Sequence, residues 1–274
     1  MKNAKKILIL IGNQINPDIY LSLHLLADAG KSIFGKDIEY AGARNVSETY
    51  KEVLPMPEIN YLSSIPPKSF VLEFKNQKNK VENVQWSQEE DKLTLFLTMQ
   101  AGDMNPANFN LKIHGANHDL VLVVGASRPE ELGEFYAQAE QLFSEAEIVV
   151  FSTNPDCKFS RAKTYQPGST SSVSEQVLIY LENQGVRINE VRATRLLSGI
   201  FSATGRFKHN LSSALTYELA ARLTKYGAKN DLATKLMEQL EGANSATTQQ
   251  VPTIEKKGED AFVSIPKQTA NERK

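Results

Sequence analysis

Lys5-Lys6-Ile7-Leu8-Ile9-Leu10-Ile11-Gly12 decides how the rest of the chain is read. An unbroken apolar run of this length, closed by glycine, predicts a parallel strand covered on both faces, because a strand with one wet face would alternate. Gly12 to Pro17 is a turn, and Pro17 and Asp18 start a helix that carries Leu21, Leu25 and Leu26 on neighbouring turns and ends near Gly30 or Gly35. Strand, turn and helix in that order make the first half of a βαβ unit.

The same grammar returns downstream. Asp119-Leu120-Val121-Leu122-Val123-Val124-Gly125 reads as a second parallel strand, followed by a helix starting near Arg128-Pro129-Glu130-Glu131, and Glu147 to Ser152 as a third strand. Between these blocks, Asn45 to Lys68 has a short helical stretch and then Pro55, Pro57, Pro66 and Pro67, which predict a surface connection. The alternating segments between residues 68 and 115 predict an antiparallel hairpin region, inserted in the sheet or at its edge. Trp86 and its aromatic neighbours there fit either a cover for the core or a partner surface. Beyond Ser171 the pattern is helical, at about Ser172–Asn183, Asn189–Ser202, Ser212–Tyr226 and Asp231–Glu241, with Gly185 and Gly227 as C-terminal stops. The expected architecture is α/β: a mostly parallel Rossmann-like sheet flanked by helices, with a β-hairpin insertion and a helical C-terminal part. Residues 1–241 form the domain, and 242–274 read as a flexible polar tail.

With 274 residues the chain buries a core without staples, and its single cysteine, Cys157, excludes an internal disulfide and a Cys-rich zinc site. The balance of 31 Lys plus Arg against 32 Asp plus Glu gives no global field for nucleic acid or an anionic membrane. No segment reaches the roughly twenty apolar residues of a membrane span, so the expectation is a cytoplasmic protein with no membrane partner.

In an open α/β sheet, ligands bind beyond the carboxyl ends of the strands. Four segments are placed there: Gly12–Tyr20, Gly125–Ser127, Ser152–Cys157, and the turn Ser202–Phe207 between two helices. Taken in order, they resemble the DHH phosphoesterase family, in particular the bacterial branch of oligoribonucleases, nucleotide 3'-phosphatases and cyclic-dinucleotide phosphodiesterases. Gln14-Ile15-Asn16-Pro17-Asp18-Ile19-Tyr20 is similar to the family's His-x-Asn-Pro-Asp-Gly-Asp. Ser152-Thr153-Asn154-Pro155 stands in place of Asp-His-His-Pro. Ser171-Ser172-Val173-Ser174-Glu175 resembles Ser-Ser-Thr-Ala-Glu, and Ser198 to Phe207 resembles Thr-Gly-Ile-x-x-Asp-Thr-Gly-x-Phe.

The resemblance implies two divalent metals, usually manganese, held by the His and Asp residues of these motifs. Here Gln14, Tyr20, Gly125, Ser152, Thr153, Asn154 and Ala203 replace those ligands, and only Asp18 survives. The family's C-terminal substrate domain is expected to be absent, because the stretch 242–274 that follows Glu241 is short and polar. The expectation is therefore a catalytically inactive binding or scaffold module without a cofactor. Its ligand is a nucleotide or short nucleic acid held by Asn16, Asp18, Asn154, Ser171 and Arg206, or its partner is a protein. The alternatives are a phosphoesterase acting on short oligonucleotides or nucleotide phosphates, dependent on manganese or magnesium with Asp18 as acid or base, and a pure assembly component whose pocket is blocked by Tyr20. Bland readings stand beside these. Asp18 is an exposed charge on its own helix turn, Ser152 to Asn154 is turn chemistry, His24 and Asp28 pair side by side, and Cys157 is a half-buried thiol. No serine or cysteine nucleophile is set against His114, His118 or His209.

Overall fold

The computed structural model describes residues 1–42, 46–74, 81–100, 109–140, 142–165 and 169–249. Six strands form one sheet: β1 (Lys6–Ile11), β2 (Asp37–Ala41), β3 (Asn60–Leu62), β8 (Leu120–Val124), β9 (Glu147–Phe151) and β10 (Lys163–Thr164). Their order is β10-β9-β8-β1-β2-β3 and every pairing is parallel. The continuous apolar runs are explained by the two layers that cover them. Ile7, Ile9 and Ile11 join a core with α1 (Pro17–Asp28), α5 (Val173–Asn183) and α6 (Glu190–Thr204), whereas Leu8 and Leu10 face a second core with Phe135, Leu142 and Phe143. The last three come from the short helices α3 (Glu134–Ala139) and α4 (Leu142–Glu145). The α/β class with parallel sheet, hairpins and helical C-terminal part is as expected.

Helix starts follow capping chemistry. Asn16, Ser172, Asn189 and Ser213 each accept a backbone N–H from three residues on, opening α1, α5, α6 and α7 (Ala214–Lys225). Gly185 and Gly227 follow α5 and α7 with positive φ of 73° and 94°. The last helix, α8 (Asn230–Gln249), runs past Glu241, so the first residues of the expected tail are helical. The tail beyond Gln249 lies outside the described residues.

Two strands of the sheet depart from the sequence reading. β3 is three residues long and lies within the proline-rich connection that follows the short helix α2 (Val46–Tyr50). β2 has Glu39 in its middle, a residue that argues against a buried strand. Glu39 is tolerated because its carboxylate takes Lys6 Nζ at 3.0 Å and His118 Nε2 at 2.9 Å. The expected β-rich insertion is two antiparallel pairs: β4 (Pro67–Phe74) with β7 (Phe109–Ala116), and β5 (Val81–Glu89) with β6 (Lys92–Met99). Among the described residues, no helix is long and apolar enough to cross a membrane.

Candidate functional site

β1 is central: the chain leaves it toward β2 on one side, and β8 flanks it on the other. This is a topological switch point, where the loops after adjacent strands diverge and open a crevice. Gly12 and Gly125 end the two strands, and the close approach there excludes side chains. A Cβ on Gly12 would stand 2.3 Å from the Gly125 carbonyl oxygen, and one on Gly125, whose φ is +74°, would stand 2.5 Å from Ile19 Cδ1.

The crevice is a pocket of about 600 Å³, and all four sequence-predicted segments reach it. Asn13, Gln14, Asn16 and Asp18 come from the β1–α1 turn, and Ser127 and Glu131 from the segment after β8. Ser152, Thr153 and Asn154 follow β9, Ser171 precedes α5, and Ala203 ends α6. Of the predicted ligand-binding residues, Asn16, Asp18, Asn154 and Ser171 are thus brought together. Arg206 is not. Gly205, Arg206 and Phe207 are three successive left-handed residues, and Arg206 is paired with Glu238 of α8 rather than lining the pocket.

Asp18 stands in the first turn of α1, as expected, but it is 4% exposed, which corrects the reading of it as an exposed aspartate. Its Oδ2 accepts the backbone N–H of Val173 at 2.7 Å. Its Oδ1 accepts that of Ser174 at 2.9 Å and the Ser174 hydroxyl at 2.5 Å. These are the first N–H groups of α5, which have no partner within their own helix, so Asp18 closes the start of a helix far away in sequence. Burial pushes its carboxyl up to about 6, against the opposing pull of the three hydrogen bonds. The second pocket carboxylate, Glu131, belongs to the segment Glu130-Glu131-Leu132-Gly133 that resembles the family's second-motif region, where the sequence alone marks it as a helix-start residue and not as a ligand. Its Oε2 accepts the backbone N–H of Ser127 at 2.6 Å and of Arg128 at 3.2 Å. The signal for it was the acidic pair after Pro129, three residues beyond a strand-end loop.

Turn chemistry holds the β9 corner. Asn154 Nδ2 donates to Ser127 Oγ at 3.1 Å, its Oδ1 accepts the Asp156 N–H at 3.0 Å, and Ser152 Oγ accepts the Asn154 N–H at 3.3 Å. Below it, Gln176 Nε2 donates to the Ser152 carbonyl at 2.8 Å, tying α5 to the same corner. Tyr20 does not block the pocket. It is fully buried in the core beside Tyr50, and its hydroxyl donates to the Leu54 carbonyl at 2.5 Å.

The other titratable candidates are structural. His24 Nε2 meets the Pro55 carbonyl at 3.2 Å, while Asp28 takes Arg192 at 2.8 Å, so the expected His24–Asp28 pairing is replaced by two separate ones. Burial lowers His24 to about 4. His118 belongs to the Glu39 cluster, and Cys157 is half-buried against the second core. The side chains of His114 and His209 lie outside the described residues.

The two-metal centre implied by the resemblance does not fit this donor set. Hard divalent cations need several carboxylate or imidazole ligands. Among the described residues the pocket offers two carboxylates, both engaged by backbone N–H groups, and no imidazole. Among the described residues no group of three or more His, Cys, Asp or Glu could hold a metal ion. A side chain at Gly125 would be strained by its φ of +74° and would have to displace Ile19, so this backbone disfavours the aspartate that the resemblance implies there.

Fold and site together define an α/β protein with a polar pocket at the switch point of a parallel sheet. No protein-family model matches the chain, and no curated protein matches it. Two solved structures are similar in fold. An exopolyphosphatase-related protein from Bacteroides fragilis aligns with a TM-score of 0.47 at 13% identity, over 86% of this chain and 56% of that one. A putative family II inorganic pyrophosphatase from Methanococcus jannaschii aligns with a TM-score of 0.45 at 12% identity, over 85% of this chain and 61% of that one. The chain spans less than two thirds of either structure.

Proposed function

We propose that this chain is a catalytically silent relative of the DHH phosphoesterases, whose pocket binds the uncharged part, ribose and base, of a nucleoside or of a short nucleic acid end. The observation that carries the reading is the chemistry of the pocket wall. Its polar side chains are amides and hydroxyls with two carboxylates, and among the described residues no lysine, arginine or histidine lines it. Amide and hydroxyl groups both donate and accept, which suits base edges and sugar hydroxyls. A phosphate, by contrast, would meet negative charge without a cation to offset it. The loss of Arg206 to Glu238 therefore shifts the ligand from nucleotide phosphate toward nucleoside. The family reading is supported by the ordered motif resemblance, because the segments that carry it converge on one pocket.

Gln14 is the clean probe, since it is exposed at the pocket and no hydrogen bond to another described residue ties its side chain. Titration calorimetry with the common nucleosides and their 5'-monophosphates is expected to show one nucleoside bound more tightly than its monophosphate. Gln14→Ala should weaken that binding about tenfold, which is about 1.4 kcal/mol. Tighter binding of the monophosphate, or binding indifferent to Gln14→Ala, would refute the assignment.

One observation favours a residual hydrolase instead. A carboxyl raised to about 6 and lining a cleft is the kind of group that serves as a general base. Its oxygens, however, are held by the start of α5, and a base so engaged has little freedom to take a proton from water.

A further inference from the structure

β4 pairs with β7, and between them in sequence stand β5 and β6, which among the described residues pair with each other alone. Opposed residues in an antiparallel pair share a face, and alternate residues along a strand do too. The register opposes Val81 to Met99, Val84 to Leu97, Trp86 to Leu95 and Gln88 to Leu93. One face of this ribbon is therefore apolar almost throughout, whereas the other carries Asn83, Gln85, Ser87, Thr94 and Thr98, with Phe96 as the exception. Nothing in the described chain covers the apolar face: Trp86 is 67% exposed and Leu93 63%, and Val84, Leu95 and Val81 are exposed as well.

A two-stranded ribbon alone is marginal in water and gains stability when its apolar face meets a second layer. We infer that this face is the contact between two copies of the chain, packed ribbon on ribbon about a twofold axis near Trp86 and Leu95. Three observations select a second copy. Glu82, at the bulge beside Val81, puts one charge at the edge of this face, but its centre of Val84, Trp86, Leu95 and Leu97 carries none, so the centre has nothing with which to choose a charged partner and is complementary to itself. The exposed apolar area is roughly 500 Å² per copy, so a pair buries roughly 1,000 Å², the size at which specific interfaces begin. The turn at the ribbon's end places Glu89, Glu90 and Asp91 beside Lys92, a net negative tip that an anionic bilayer repels.

The test is sedimentation velocity of the full chain at micromolar concentrations, beside a Trp86→Ser/Leu95→Glu double variant. The wild type should sediment at twice the chain mass of 30.5 kDa and the variant at that mass, with the same far-ultraviolet circular dichroism. As a second readout that leaves most of the face intact, Leu95→Cys should cross-link into a covalent dimer on oxidation, and Gln85→Cys on the opposite face should not. A wild type that stays monomeric throughout, whether or not it co-sediments with phosphatidylserine vesicles, would overturn the inference. So would a dimer that survives the double variant while Leu95→Cys fails to cross-link.

Discussion

Replacing Asp18 with alanine is expected to lower folding stability by about 3 kcal/mol at neutral pH, because it strips two buried N–H groups and a hydroxyl of their acceptor at the start of α5. Denaturant unfolding followed by circular dichroism measures it; a loss below about 0.5 kcal/mol, the level of an ordinary surface site, would contradict the assigned role. The pH dependence has a definite sign. The folded carboxyl titrates at about 6 against an ordinary 3.8, so between these values the native state binds more proton than the unfolded chain. Protonation of Asp18 therefore adds a further increment of stability that is fully present below pH 3.8 and is lost as pH rises through about 6, a change on the order of 3 kcal/mol on top of what its hydrogen bonds contribute at neutral pH. The gap between wild type and Asp18→Ala should accordingly widen on acidification.

Gly199→Ala should reverse the usual rule for helices. In an exposed helix interior this change adds about 1 kcal/mol of stability. In α6 the new Cβ would stand 2.0 Å from Ser174 Oγ, 2.9 Å from Ser174 Cβ and 3.0 Å from Asp18 Oδ1. Turning the serine hydroxyl away removes a bond to Asp18, and the Cβ contact still forces the two helices apart. The expected cost is about 3 kcal/mol, at the upper end of overpacking in a tight core. Equal or greater thermal stability in the variant would show that α5 and α6 are not held at this separation.

The glycine result bears on what could be read from the chain alone. The strands β1, β8 and β9 were legible because both sheet faces are covered and their residues are uniformly apolar. β2 was not, since Glu39 becomes tolerable only beside Lys6 and His118, one of which comes from a distant segment. The pocket was legible as a place, because strand ends must converge where the sheet changes direction. Its electrostatics were not. The burial of Asp18 depends on amides 155 and 156 residues away, and nothing near Asp18 in sequence announces them. The place of Arg206 was hidden for a related reason: three left-handed residues turn the chain so that Arg206 meets Glu238 of the packed helix α8 instead of the pocket. The alternation of β5 and β6 was visible, but whether their apolar face meets the core is a tertiary fact.

The central claim is that the pocket retains the place of a phosphoesterase site without its chemistry. The direct measurement is hydrolysis of a 5'-labelled dinucleotide by highly purified protein, with and without manganese. The account predicts no turnover above background in either condition, and the same trace for Gln14→Ala as for wild type. Manganese-dependent turnover that disappears in Asp18→Asn, under conditions where that variant remains folded, would contradict it and make the buried carboxylate a working catalytic group.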